Sequence, residues 1–262
     1  MSNLERFIER FSGLQRAYGT TTITGLRDDG KNQVNSFVQR GEPTVDLWEK
    51  HLGGEEPSLG IIPITDDNTC RWGCIDIDDF TINLKSVNAK LQERKFPLIL
   101  CRSKSGGAHL FLFTKEYIPA ALMRLRLTEM AASLGYASHE VFPKQTQILT
   151  ERGDTGNFLN LPYFGGDKTT RYSLDEEGNV NTLEQFLKLA DSKELTEKEA
   201  SDFKVVGETI PALKEGPPCL QYLISQGFPQ GTRNNGLFNL GIYTKLLIIV
   251  NIYLHLWVQV KS

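Results

Sequence analysis

The chain has 262 residues, 40% hydrophobic and 23% charged, with a formal net charge of −3. That is an ordinary balance for a soluble globular protein, with room for a core that needs no disulfide or structural metal. The longest apolar run, 246–258, is broken by Asn251 and His255 and is shorter than the roughly 20 apolar residues of a membrane span. Residues 1–15 are polar, charged and helically periodic, unlike a signal peptide. A soluble cytoplasmic protein is therefore expected, with no membrane partner.

The negative charge argues at first against a nucleic-acid partner, but it is unevenly spread. Residues 175–216 hold 11 acidic and 5 basic side chains, which leaves the rest of the chain at +3. There, Arg and Lys are interleaved with aromatics, a pattern compatible with a basic groove.

In chain order, Leu4, Phe7, Ile8, Phe11 and Leu14 predict an amphipathic helix over 3–17. Strands are expected over 59–64 and 72–78, joined by a polar turn at Asp66, Asp67 and Asn68. Cys70 and Cys74 have the spacing of half a zinc knuckle. No second Cys/His pair accompanies them, so reduced, partly buried thiols are expected. A helix at Leu84, Val87 and Leu91 precedes a buried strand at 97–101, a turn at Ser105-Gly106-Gly107 and a strand at 109–113. Pro119 then suits the first turn of a helix that Gly135 stops. Short strands follow near 140–142 and 158–161.

This alternation predicts an α+β sheet domain over residues 1–174. A charged helix and linker would occupy 175–216, with the helix at 182–189 and the break at Gly216-Pro217-Pro218, and a small helical appendage 217–262.

Three segments carry chemistry. In Cys74-Ile75-Asp76-Ile77-Asp78-Asp79-Phe80, strand alternation sends Asp76 and Asp78 to one face and the isoleucines to the other. Adjacent carboxylates repel, and a shared cation relieves them. Their oxygens suit Mg²⁺ or Mn²⁺ rather than zinc, and two such ions would serve phosphoryl chemistry. The plainer account is a solvated turn, with Asp79 capping the next helix.

In Arg102-Ser103-Lys104-Ser105-Gly106-Gly107-Ala108-His109, adjacent glycines let backbone N–H groups approach an anion. Lys104, Arg102 and the two serine hydroxyls suit a triphosphate, and His109 is placed to donate to a phosphate oxygen. A plain hairpin bearing a surface histidine is the alternative.

In His139-Glu140-Val141-Phe142-Pro143-Lys144-Gln145, Glu140 offers a third carboxylate and Lys144 a reach toward phosphate or template. A salt-bridged surface strand would look the same. Asn160, in the aromatic run 157–164, is a candidate sugar or base contact.

Together these segments resemble the archaeo-eukaryotic primase superfamily, and within it the primase-polymerases of phages, plasmids and related mobile elements. Asp76-Ile77-Asp78 matches the family's first motif, Gly107-Ala108-His109 its second, and Glu140 its third acid, in the same order across about residues 50–170. The resemblance implies a two-module fold with an RRM-like catalytic sheet. It further implies two Mg²⁺ or Mn²⁺ ions on Asp76, Asp78 and Glu140, and an NTP or dNTP bound by Arg102, Ser103, Lys104, Ser105, Gly107, His109, Lys144 and Asn160. The activity implied is primer synthesis on a single-stranded DNA template, with Arg102, Arg124, Arg126 and Lys144 as candidate backbone contacts. The alternatives are a metal-dependent nuclease and a non-catalytic single-stranded DNA-binding remnant.

Residues 231–241 resemble the start of the helical domain that follows many such primases and often precedes a helicase. The pattern is lost near Leu246, and no acid follows Glu215. A truncated or frameshifted end, with the helicase in a longer reading frame or encoded separately, is the expectation.

Overall fold

The computed structural model describes residues 1–26 and 32–205, together with 241, 242 and 245. Contacts divide the chain into two units, Met1–Val205 and Val206–Ser262. The expected linker from 206 onward and the helical appendage lie outside the described residues, apart from the last three positions.

The fold is mixed α+β. Its elements are α1 (Asn3–Arg10), β1 (Ala17–Leu26), β2 (Asn32–Arg40), α2 (Val45–Gly53), β3 (Ser58–Ile61), β4 (Thr69–Ile77), α3 (Leu84–Glu93) and β5 (Ile99–Arg102). There follow β6 (Ala108–Pro119), α4 (Ala120–Leu134), β7 (Glu140–Phe142), β8 (Leu159–Asn160), α5 (Leu183–Lys193) and α6 (Glu197–Asp202). The strands form two four-stranded sheets, ordered β2-β1-β3-β8 and β5-β6-β4-β7. All their pairings are antiparallel. In the second sheet the chain runs β4-α3-β5-β6-α4-β7, a βαββαβ unit of the ferredoxin or RRM type. Its first strand, β4, lies between β6 and β7.

Alternation on β4 divides the core. Ile75 and Ile77 join Leu100, Leu110, Leu112 and Val141 beneath Val87 and Leu91 of α3 and Met123, Leu127 and Met130 of α4. On the opposite face, Trp72, Cys74, Phe111 and Phe142 meet Leu59, Ile61 and Leu159 of the first sheet, with Phe7, Trp48 and Phe186 from three helices. The two sheets thus share one apolar layer, and β4 borders both cores.

Helix ends follow local chemistry. Ser2 and Glu5 form a capping box on α1, and Gly135 closes α4 in the left-handed region at φ 88°. The first helix is shorter than its periodicity predicts. It stops at Arg10 because Gly13 must pass against β3, where a Cβ would lie 2.1 Å from the Ile62 carbonyl oxygen. Leu14 is still buried, but as part of the approach to β1. Segment 175–205 is no mere connector. Its α5 sends Phe186, Leu187 and Ala190 into the shared layer, and Asp191 and Glu194 pair with Arg6 and Arg10 of α1. Among the described residues, no helix is long and apolar enough to cross a membrane.

His51 ties α2 to the first sheet. Its Nδ1 accepts from the Leu59 amide at 3.0 Å, and its Nε2 lies 2.8 Å from the Pro162 carbonyl oxygen. The ring is fully buried, and this desolvation drives its pKa from 6.5 down to about 4, with Arg171 pushing the same way. The folded state therefore holds a neutral ring where the unfolded chain takes up a proton. Its contribution is complete above pH 6.5 and is lost as pH falls toward about 4; by linkage it amounts to about 3 kcal/mol. Urea denaturation across that window should show stability falling with pH in the wild type and a shallower fall in His51→Gln. Equal slopes would contradict this.

Candidate active site

The register of the second sheet builds the site. Asp76 of β4 is paired with His109 of β6 and, across its other edge, with Glu140 of β7. Residues directly opposite in antiparallel strands share a face, so the three side chains stand in one row at the edge of the shared apolar layer. His109 Nε2 lies 3.3 Å from Asp76 Oδ1, and the His109 ring meets Phe111 edge-on. The row continues through Cys101, paired with His109, to Ser173, which bridges to Cys101.

A two-residue step along the same strands leads to a second set: Asp78, Gly107, Ser103 and Arg171. Asp78 is the first residue beyond β4, one position past the strand end. Ser105 Oγ donates to Asp78 Oδ1 at 3.3 Å and lies 3.1 Å from Ser103 Oγ. The Ser103–Gly107 turn closes through Ser103 N to Gly107 O at 2.9 Å, and Gly106 takes φ 99°. Gly107 is required for space: a Cβ there would lie 2.1 Å from the Ile77 carbonyl oxygen. The motif glycine is thus what lets the turn lie flat against the end of β4, beside the two aspartates.

Charges of opposite sign flank this turn. Lys104 is half-buried, and desolvation and then Arg171 hold its ammonium below the ordinary range. Arg171 was not foreseen from the sequence. Its only signal is a basic residue facing β5 once Arg102 N donates to Tyr172 O and Leu174 N to Leu100 O, a pairing invisible in a segment without strand periodicity.

The remaining candidates are placed as follows. Glu140 is in the row, but its carboxylate is held by Lys144 at 2.6 Å, and Lys144 also lies over the Phe142 ring. Lys144 is therefore committed to Glu140 rather than extended toward a nucleotide. Asn160 sits on β8 opposite Gly60, and its buried Oδ1 has no hydrogen-bond partner in the protein, as is also true of Gln145 Oε1. Arg102 Nη1 reaches the Thr170 carbonyl oxygen. Asp79 accepts from both the amide and the hydroxyl of Thr81, while Asn83 caps α3. Arg126 is bound to Ala200 O, Ser201 O and Glu129, and Arg124 to Val141 O and Pro143 O. Cys70, Cys74 and Cys101 are buried thiols, and desolvation alone raises the Cys70 thiol to about 12.

Among the described residues no three His, Cys, Asp or Glu side chains gather into a ready cation cage. The donor set nevertheless fits a hard divalent ion. Asp76 and Asp78 supply carboxylates with a hydroxyl beside them, and Mg²⁺ is commonly held by one or two carboxylates plus phosphates and water.

With this geometry in place, comparison with protein families gives a match over residues 30–203 to the model described as "TOTE conflict system, Archaeo-Eukaryotic Primase domain". The chain belongs to this family. The matched span contains the βαββαβ sheet, the Asp76–His109–Glu140 row, the turn before β6, and Arg171. Comparison with curated proteins gave no match. Family membership supports a nucleotidyltransferase-like role of the primase type.

Gly107→Ala should lower stability by about 1–3 kcal/mol through overpacking against Ile77. An unchanged melting temperature would refute the close approach.

Proposed function

We propose that the chain is a template-dependent primase-polymerase, joining NTPs or dNTPs into primers on single-stranded DNA. The description of the matched family names a conflict system. The observation that carries this reading is the row of Asp76, His109 and Glu140 across β4, β6 and β7, extended by Asp78 to the serine-glycine turn.

Asp76 and Asp78 would hold Mg²⁺ or Mn²⁺, with Glu140 joining when Lys144 turns away. When bound, the metal supplies charge neutralisation and activation of the attacking 3′-hydroxyl. The protein's own part is positioning and electrostatics. Ser103, Lys104, Ser105 and the Gly107 backbone receive the triphosphate. His109, with Nε2 beside Asp76 and its ring edge-on to Phe111, stands next to it. Asn160, whose buried carbonyl oxygen lacks a partner, offers an acceptor for a sugar or base donor; a group left this way is costly unless a ligand completes it.

De novo synthesis on single-stranded DNA with Mn²⁺ and either nucleotide set tests the reading. Asp78→Ala and Asp76→Ala should each lower product by at least about a hundredfold, on the scale of a lost electrostatic contact to the transition state. Equal product from variant and wild type would overturn it, and template degradation without added nucleotides would point to a nuclease.

A further inference from the structure

The two sheets present four edge strands, and three of these are short. β8 has two residues and β7 three. β5 has four, and its outer side is occupied: Arg102 N donates to Tyr172 O, and Leu174 N to Leu100 O. Strand β2 is different. It runs nine residues, every one in register with β1, and among the described residues no strand or bridge takes its outer side. The bulge of this hairpin lies on β1, between Ile23 and Gly25, so the outer edge of β2 stays regular. Residues 32–39 contain no charge, no proline and no glycine. Phe37 is 60% exposed and Val38 46%. A long edge with unpaired N–H and C=O groups is a template for another strand, and folded proteins blunt such edges with charge, proline, bulges or brevity. None of these devices protects β2, so this edge is built to receive a strand.

The sequence of the edge identifies that strand. Read outward from Ser36, Asn35-Val34-Gln33 in one direction and Phe37-Val38-Gln39 in the other agree at the second and third steps. Suppose β2 meets its own copy antiparallel, across a two-fold axis at Ser36. Val34 then stands opposite the partner's Val38, Gln33 opposite the partner's Gln39, and Ser36 opposite the partner's Ser36. Opposed residues share a face and form the stabilising pairs of a sheet. The valines therefore meet on one face and the glutamine amides on the other, with no like charges opposed. Phe37 lies opposite the partner's Asn35 and diagonal to the partner's Phe37, a separation that aromatic rings can span. An interface between identical copies about a two-fold axis requires this self-complementarity, whereas pairing with an unrelated strand does not.

We infer that the chain forms a two-fold dimer through antiparallel pairing of β2 with β2 of a second copy, which joins their first sheets into one continuous sheet. The inference is independent of the nucleotidyl-transfer reading, because β2 carries none of the residues of that site. A single strand edge makes an interface smaller than those of permanent dimers, so the association is concentration-dependent and in the micromolar range.

Sedimentation equilibrium of the full chain at increasing concentration is the test, and Ser36 is the diagnostic position because a residue on the axis meets itself. The wild type should pass from monomer to dimer. Ser36→Lys and Ser36→Glu should each dimerise at least about fivefold more weakly, since like charges then stand opposite one another. An equimolar mixture of the two should recover the association, which damage to the fold could not produce. Val38→Lys, at an exposed position, should also weaken the dimer and serves if the Ser36 variants do not fold. A wild-type chain that stays monomeric at every concentration would overturn the inference. Protection of the β2 amides from hydrogen exchange in that monomer would assign the edge to residues 206–262 instead. Wild-type association in all three variants, or a mixture no stronger than its components, would overturn it as well.

Discussion

The paired register of β4 between β6 and β7 is the constraint on which the site depends. Asp76 faces His109 on one side and Glu140 on the other because each strand holds its position in an antiparallel ladder. A shift of one residue would send Ile75 or Ile77 into the row and the aspartates into the core beneath α3 and α4. That shift is prohibited by apolar packing on both faces. Ile75 and Ile77 are fully buried on one side, Trp72 and Cys74 on the other. The chemistry therefore inherits its geometry from hydrophobic burial at a distance of two or four residues along the same strand.

Charges of the two signs are kept apart around that row. Carboxylates lie at and just beyond the end of β4, half-exposed or exposed, where a hydrated divalent ion can reach them. Cations lie across the serine-glycine turn, Arg171 buried and Lys104 half-buried. The turn between them is kept thin by Gly107, since any side chain there would meet the Ile77 carbonyl. Neutral His51 and the buried thiols keep further charge out of the adjoining apolar layer.

How much of this was legible in the sequence depends on where each signal was local. The strands of the βαββαβ unit and both crossing helices were readable from period-two and helical patterns. Gly107 and His109 were readable because a glycine pair before an apolar strand has a direct steric meaning. The hairpin of β1 and β2 left no such trace. Polar Thr20, Thr22, Asn35 and Gln39 are mixed there with Ile23, Phe37 and Val38, which are themselves exposed, so no buried face announces itself. The first helix was over-extended because Phe11 and Leu14 fit a helical stripe although they are buried from an irregular segment. Arg171 was invisible for a different reason. Its placement beside Ser103 arises from a non-local pairing with β5, and a lone arginine among threonines carries no periodic signal. Lys144 was legible as a charge near Glu140, but only the structure shows that the two neutralise one another.

The central claim is that Asp76 and Asp78 form the metal-binding end of a nucleotide site. Anomalous diffraction from crystals grown with Mn²⁺ and a nucleotide that cannot be cleaved between its α- and β-phosphates tests it most directly. The account predicts a manganese peak bonded to the Asp76 and Asp78 carboxylates, with the triphosphate running along the Ser103–Gly107 turn. A nucleotide bound elsewhere, or manganese without contact to either aspartate, would contradict it.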